Sequence, residues 1–333
     1  MSWKVLITAR TLDVAGKAAT ELLRRNGVEL VIPPRYGPLP AEELLKLLPG
    51  VDAVFASMDQ FTAEVLGSPA AASLKLISRW GVGYDAIDVP AATRHGIVVA
   101  YTPGLLDDAV ADYAFALLLA VARRVHEGYA SMRRGEWKSL WGHDVSGKTL
   151  GIVGCGRIGR AVARRAGGFG MRLLGFDILP STEAEKGGIR FTGLDELLAE
   201  SDFVTVHAAL TPQTRGLMGE ARLRQMKRSA YLINTARGAI VDEAALARAL
   251  TEGWIAGAAV DAFVVEPLPA DHPLRSVPNL LLTPHQASFG YDTGERVSTM
   301  AAQAIIDLMQ GRRPQAVVDP AVWQSPALRA RLK

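Results

Sequence analysis

Residues Lys148 to Gly159 read Lys-Thr-Leu-Gly-Ile-Val-Gly-Cys-Gly-Arg-Ile-Gly, and the chain then continues Arg160-Ala-Val-Ala-Arg-Arg-Ala-Gly. An apolar run that closes on Gly-x-Gly-x-x-Gly and opens an amphipathic pattern is a strand, a tight loop and a helix N-terminus. The three glycines serve different ends. Gly154 permits the turn, Gly156 lets the backbone approach a pyrophosphate, and Gly159 lets helix and strand pack closely. The free N–H groups of the first helical turn, opened by Arg157 and Ile158, then face the anion. The following strand, Arg172–Phe176, ends at Asp177, about 18 residues past Gly159 and near the spacing of a ribose-binding acid. A carboxylate there accepts ribose hydroxyls and repels a 2′-phosphate, which favours NAD over NADP. Cys155 inside the loop reads as a small filler with no redox role.

Outward from this unit, short apolar runs alternate with helical patterns along nearly the whole chain, the pattern of βαβ units on parallel sheets. Strands are predicted before the loop at Lys4–Thr8, Glu29–Ile32, Ala53–Ala56, Leu74–Ser78 and Ile97–Ala100. From the loop onward they are predicted at Lys148–Val153, Arg172–Phe176, Phe203–His207, Ala230–Asn234, Ala256–Val260 and Leu280–Leu282. The fold class is therefore α/β with two doubly wound parallel sheets: a flavodoxin-like substrate domain from residues 1–101 and 288–333, and a Rossmann domain over 102–287. The helical stretches Asp108–Gly135 and Gly290–Gly311 are predicted to cross between the domains, with the tail Arg312–Lys333 returning to the first.

A length of 333 residues suits two such domains, and 49% hydrophobic against 21% charged residues excludes a disordered chain. With 37 basic and 34 acidic side chains and no long Lys/Arg run, no nucleic-acid partner is expected despite a pI near 9.0. A single cysteine excludes an internal disulfide and suits a reducing cytoplasm. The opening Met-Ser-Trp-Lys-Val-Leu-Ile-Thr reads as a strand, not a signal peptide. The apolar run Ala114–Ala122 is about half of a membrane span, so it is expected at a core or subunit interface. No metal site is expected.

Three segments end strands of the second set: Asn234-Thr235-Ala236-Arg237-Gly238, Val260-Asp261 onward to Glu266-Pro267, and Thr283-Pro284-His285. They bring a guanidinium, a carboxylate and an imidazole to the sheet edge where open α/β folds bind ligands. Carbonyl reduction of an oxo acid needs a cation for the substrate carboxylate, an acid for the developing alkoxide, and a group that favours the imidazolium. A lone Arg or His after a strand is more often a surface ion-pair partner or a structural group. The three together, on a dinucleotide sheet, point to chemistry.

At these residues the chain resembles the NAD-dependent D-2-hydroxyacid dehydrogenases, the family that includes D-3-phosphoglycerate dehydrogenase, glyoxylate/hydroxypyruvate reductase and formate dehydrogenase. The resemblance also covers Gly81–Asp88 and Thr102-Pro103-Gly104. It implies His285 as acid/base, Glu266 as its orienter and Arg237 on the substrate carboxylate and carbonyl. It implies Val82 and Gly83 as backbone contacts to the same carboxylate, and Asp261, His207, Thr235 and Ala236 around the cofactor. The substrate is then a small 2-oxo or 2-hydroxy acid held between the domains, and the enzyme a homodimer through the nucleotide domain, with Ala114–Ala122 in the contact.

Three departures leave substrate choice open. Gln286 stands where an apolar residue is usual and either bonds a polar substrate or faces solvent. Leu106 in Gly104-Leu-Leu-Asp-Asp is wording more like the glyoxylate/hydroxypyruvate reductases. Arg79 stands where phosphoglycerate enzymes often bind phosphate, yet the position of a second arginine is Ala56. A serine-type regulatory domain is not expected after residue 333. A formate dehydrogenase is disfavoured because it pairs Gln with His; a non-catalytic, corepressor-like NAD sensor is the rival from another class.

Overall fold

The computed structural model describes residues 2–333, which divide into two compact units. One runs to Leu106 and resumes over Phe289–Lys333; the other is Asp107–Ser288. The chain passes from one to the other at 106/107 and at 288/289, a few residues from the predicted boundaries, because the loop Tyr101–Leu106 stays with the first sheet. Thr102 accepts a hydrogen bond from Gly81 N there, and Tyr101 N donates to Ala316 O.

The first unit holds β1 (Lys4–Ile7), β2 (Glu29–Val31), β3 (Ala53–Ala56), β4 (Leu76–Arg79) and β5 (Val98–Ala100) in the order β2-β1-β3-β4-β5. All pairings are parallel, and the order reverses between β1 and β3, the flavodoxin-like arrangement. β1, β3, β4 and β5 are mostly apolar and, apart from Lys4, buried, as strands covered on both faces must be. The tail belongs here: Val317 bridges Ala100, and Arg329 bonds Ala71 O and Leu74 O.

The second unit carries β6 (Thr149–Val153), β7 (Arg172–Phe176), β8 (Arg190–Phe191), β9 (Phe203–Val206), β10 (Tyr231–Asn234), β11 (Gly257–Val260) and β12 (Leu280–Leu282). Their order is β8-β7-β6-β9-β10-β11-β12, again all parallel, with the reversal between β6 and β9. β8 is the strand that the sequence pattern missed: two residues at the sheet edge, one exposed, carry no periodicity. The other strands alternate strictly between two cores. Leu150, Ile152, Leu173 and Ile233 face one, and Val153, Leu174, Val204 and Leu232 the other.

Neither long helical stretch is a crossing. Asp107–Ala122 packs within the second unit, and Tyr291–Met309 lies wholly in the first. The former also ends earlier than predicted, because Arg124 takes a left-handed conformation (φ 52°) before a separate helix, Val125–Arg133. For the run Ala114–Ala122, expected in the core or at a subunit interface, the structure shows the core. Ala114, Phe115, Leu117, Leu118, Val121 and Ala122 are buried against the protein's own sheet, so their apolar surface is already used in the single chain.

Candidate active site

Within the second unit, Gly154 has φ 94°, and a Cβ there would lie 2.4 Å from Ala208 N at the end of the neighbouring strand. A Cβ on Gly159 would lie 2.2 Å from Gly154 O, whereas Gly156 faces open space. The loop is thus closed against the sheet at both outer glycines and open at the middle one, which immediately precedes the helix Arg157–Gly167. That is the geometry a pyrophosphate needs. Asp177, at the end of β7, accepts from Cys155 N (2.7 Å) through one oxygen and from Leu179 N (3.0 Å) through the other. Each oxygen keeps a further lone pair for a ribose hydroxyl. The Cys155 thiol is buried and pushed up to about 12, by desolvation first and then by Asp177, so it carries no thiolate at neutral pH.

At the ends of β10, β11 and β12, the proposed reactive groups are held by local polar clamps. Asn234, fully buried, accepts from Ala236 N (3.0 Å) and donates to Arg237 O (3.0 Å), shaping the turn that presents Arg237. Arg237 Nη1 donates to Ala236 O at 2.8 Å. Thr235 is buried with its hydroxyl unpartnered, an orphan polar atom beside the cofactor loop's sheet edge. His285 Nδ1 lies 2.7 Å from Glu266 Oε2, and Glu266 Oε1 accepts from Phe263 N at 2.8 Å. His285 has φ 49°, a costly conformation for a non-glycine residue and one that clusters at functional sites. Its side chain is 30% exposed and that of Glu266 24%, so the pair is partly shielded but accessible.

Asp261, which the resemblance places near the cofactor, directly follows β11. It is fully buried, and its two oxygens accept from Thr283 Oγ1 (2.6 Å), Gln286 N (3.0 Å) and Ala287 N (2.9 Å). It therefore clasps the segment on either side of His285. Gln286 is partly buried, and its Nε2 donates to Tyr113 Oη at 2.6 Å. His207, at the end of β9, contacts Thr205 Oγ1 at 2.8 Å, and desolvation lowers its pKa to about 3, so it is neutral at physiological pH.

The first unit offers backbone. Gly81 N is tied to Thr102 Oγ1 (2.9 Å) and Arg79 Nε donates to Gly83 O (2.9 Å), while among the described residues the N–H groups of Val82 and Gly83 donate to no acceptor. Arg79 is itself only 9% exposed beneath this loop.

The family model described as "D-isomer specific 2-hydroxyacid dehydrogenase, NAD binding domain" matches residues 115–287, the segment that carries all of the second unit's site residues. The chain belongs to the D-isomer-specific 2-hydroxyacid dehydrogenases. Among relatives of this dehydrogenase, a glyoxylate reductase of Korarchaeum cryptofilum is 49% identical over 271 residues, covering 79% of this chain and 81% of that one. The solved TT0316 protein from Thermus thermophilus is 42% identical and superposes with a TM-score of 0.84 over 95% of this chain and 100% of that one. A D-lactate dehydrogenase from Aquifex aeolicus, solved with NAD and lactic acid, is 27% identical with a TM-score of 0.83, covering 95% of this chain and 98% of that one. The protein is accordingly an NAD-dependent oxidoreductase acting on the CH–OH group of a small 2-hydroxy acid, not a binding module alone. Among the described residues, no helix is long and apolar enough to cross a membrane.

Proposed function

We propose that this dehydrogenase reduces an unphosphorylated two- or three-carbon 2-oxo acid of the glyoxylate/hydroxypyruvate type, with His285 as proton donor. The observation that carries the reading is the 2.7 Å His285–Glu266 contact at the carboxyl edge of the NAD-binding sheet. Glu266, fixed by Phe263 N, orients Nδ1 and leaves Nε2 as the ring atom that hands its proton to the carbonyl oxygen. Arg237 and the amides of Val82 and Gly83 are assigned to the substrate carboxylate. Gly154, Gly156, Arg157, Ile158, Gly159 and Asp177, with His207, Thr235 and Ala236, would hold NAD(H), which when bound would supply the hydride for reduction at C2. In the reverse direction His285 accepts the hydroxyl proton.

Two observations support the unphosphorylated class. Arg79, the candidate phosphate ligand, is buried and engaged with Gly83 O, and the position of a second arginine is Ala56. Purified protein should oxidise NADH with glyoxylate or hydroxypyruvate and turn over 3-phosphohydroxypyruvate at least about tenfold more slowly in kcat/KM. A preference for the phosphorylated acid would overturn the assignment.

A homodimer in the cytoplasm completes the reading. The helix Val125–Arg133 and the segment after it expose Val125, Tyr129, Met132, Trp137 and Trp141, the two indoles at 89% and 91%, a patch suited to a second copy of the chain. Sedimentation of the Trp137→Ser/Trp141→Ser double variant should show monomer where the parent protein shows dimer.

A further inference from the structure

Beyond the His285–Glu266 pair, the second unit contains another imidazole and carboxylate in contact. His272 Nε2 lies 3.4 Å from Glu243 Oε2, and both side chains are largely buried, at 23% and 16% exposure. Their placement follows from local structure. Asp242 caps the helix Glu243–Thr251 by accepting from Ala245 N (3.0 Å), which sets Glu243 in its first turn. Leu274 N donates to His272 Nδ1 at 3.3 Å. A ring nitrogen that accepts carries no proton, so the neutral ring's hydrogen sits on Nε2, facing Glu243.

The other Glu243 oxygen accepts from Val264 N at 2.8 Å. Val264 is the neighbour of Phe263, whose N–H holds Glu266 at 2.8 Å. Two consecutive backbone amides are thus gripped by two glutamates, one bonded to His285 and the other to His272. The same stretch is pressed against the arginine turn, for a Cβ on Gly238 would lie 2.0 Å from Phe263 C. Val264 and Val265 are more than half exposed, so apolar packing does not hold this strip from outside.

We propose that Glu243 and His272 are positioning residues for the proton-transfer pair: they hold the Phe263–Val264 amides, and through them the carboxylate of Glu266, in the alignment His285 requires. Neither touches substrate. The inference rests on the proposed role of His285, and displacements of an ångström at such a site cost rate more than affinity.

The test uses replacements that each retain one face of the imidazole. His272→Gln can place an N–H near Nε2, toward Glu243, whereas His272→Asn can place an oxygen near Nδ1, toward Leu274 N. Glu243→Gln leaves one acceptor oxygen for two donors, so its NH2 meets either His272 Nε2–H or Val264 N–H. In the intact enzyme we expect Glu243→Gln and His272→Asn to lower kcat about tenfold with KM for NADH within about twofold, and His272→Gln to restore kcat to within about threefold of the parent. Loss of kcat in all three at parental melting temperature supports the same conclusion, because the intact pair is then what the loop requires. Parental kcat in Glu243→Gln overturns the proposal, and so does activity in His272→Asn without activity in His272→Gln, which would leave His272 a cap for Leu274. His272→Asn and His272→Gln decide the matter between them if Glu243→Gln fails to fold. If these variants are normal while His285→Ala is inactive, the proposal alone fails; if His285→Ala is active, the underlying reading fails.

Discussion

The two units have parallel sheets of related design, yet they use charge at their carboxyl edges in opposite ways. In the second, Glu266 and His285 stand partly exposed, and Asn234 and Asp261 hold the segments that present Arg237 and His285. In the first, Asp59 and Arg79 turn inward, while Asp85 stays exposed. Asp59 is fully buried and accepts from Leu39 N (2.9 Å), Ser57 N (3.0 Å) and the Thr8 hydroxyl. Arg79 lies under its own loop and its charge acts on Asp59. Desolvation raises the Asp59 pKa, opposed by these hydrogen bonds and by Arg79. Asp59 therefore joins the loops after β1, β2 and β3, with Arg79 bracing the loop after β4. What remains outward at Val82 and Gly83 is backbone N–H. On the proposed reading, the second unit supplies the reactive side chains and the first a shaped main chain. Proton transfer needs a group that titrates, whereas holding a carboxylate needs only fixed donors.

That contrast can be broken at either edge. The largest effect is expected from His285→Ala, which should lower kcat at least about a hundredfold while NADH binding, followed by fluorescence titration, is retained. Near-normal turnover would remove His285 from the chemistry. Asp59→Ala should cost about 2–4 kcal/mol of stability, read as a lower Tm, because three buried donors lose their acceptor. In the folded fraction it should raise KM for the oxo acid more than it lowers kcat; the opposite split would mean that the first unit contributes more than a frame. The smallest effect is expected at Asp177→Ser, which should narrow the NADH over NADPH preference about tenfold in kcat/KM. A parent enzyme that already prefers NADPH would show that Asp177 does not set the choice.

Much of the fold was legible from the sequence because parallel strands buried on both faces are written as apolar runs, and their ends as glycine, proline and polar turns. Ala53–Ala56, Arg172–Phe176 and Leu280–Leu282 have the same limits in the reading and in the structure. β8 was not legible, since two residues at an edge show no period. The residues proposed to be reactive stood out because Arg237, Glu266 and His285 lie in the segments that leave β10, β11 and β12, where local order and site position coincide. The clamps did not: Asp59 meets Thr8 and Leu39, Glu243 meets Val264, and Gln286 meets Tyr113, pairs between 20 and 173 residues apart. Nothing in their immediate neighbours marks them. The burial of Ala114–Ala122 was hidden for a similar reason, since an apolar helix reads alike whether its face meets its own sheet or another subunit.

By itself, then, the sequence determined the α/β class, the glycine loop and the residue types available for hydride chemistry on a small acid, because these depend on periodicity and on groups a few residues apart. Only the tertiary structure decided which charges face outward and which are consumed inside. Hydrogen bonding between distant residues depends on where parallel strands end side by side, and that register exists only once the sheets have formed.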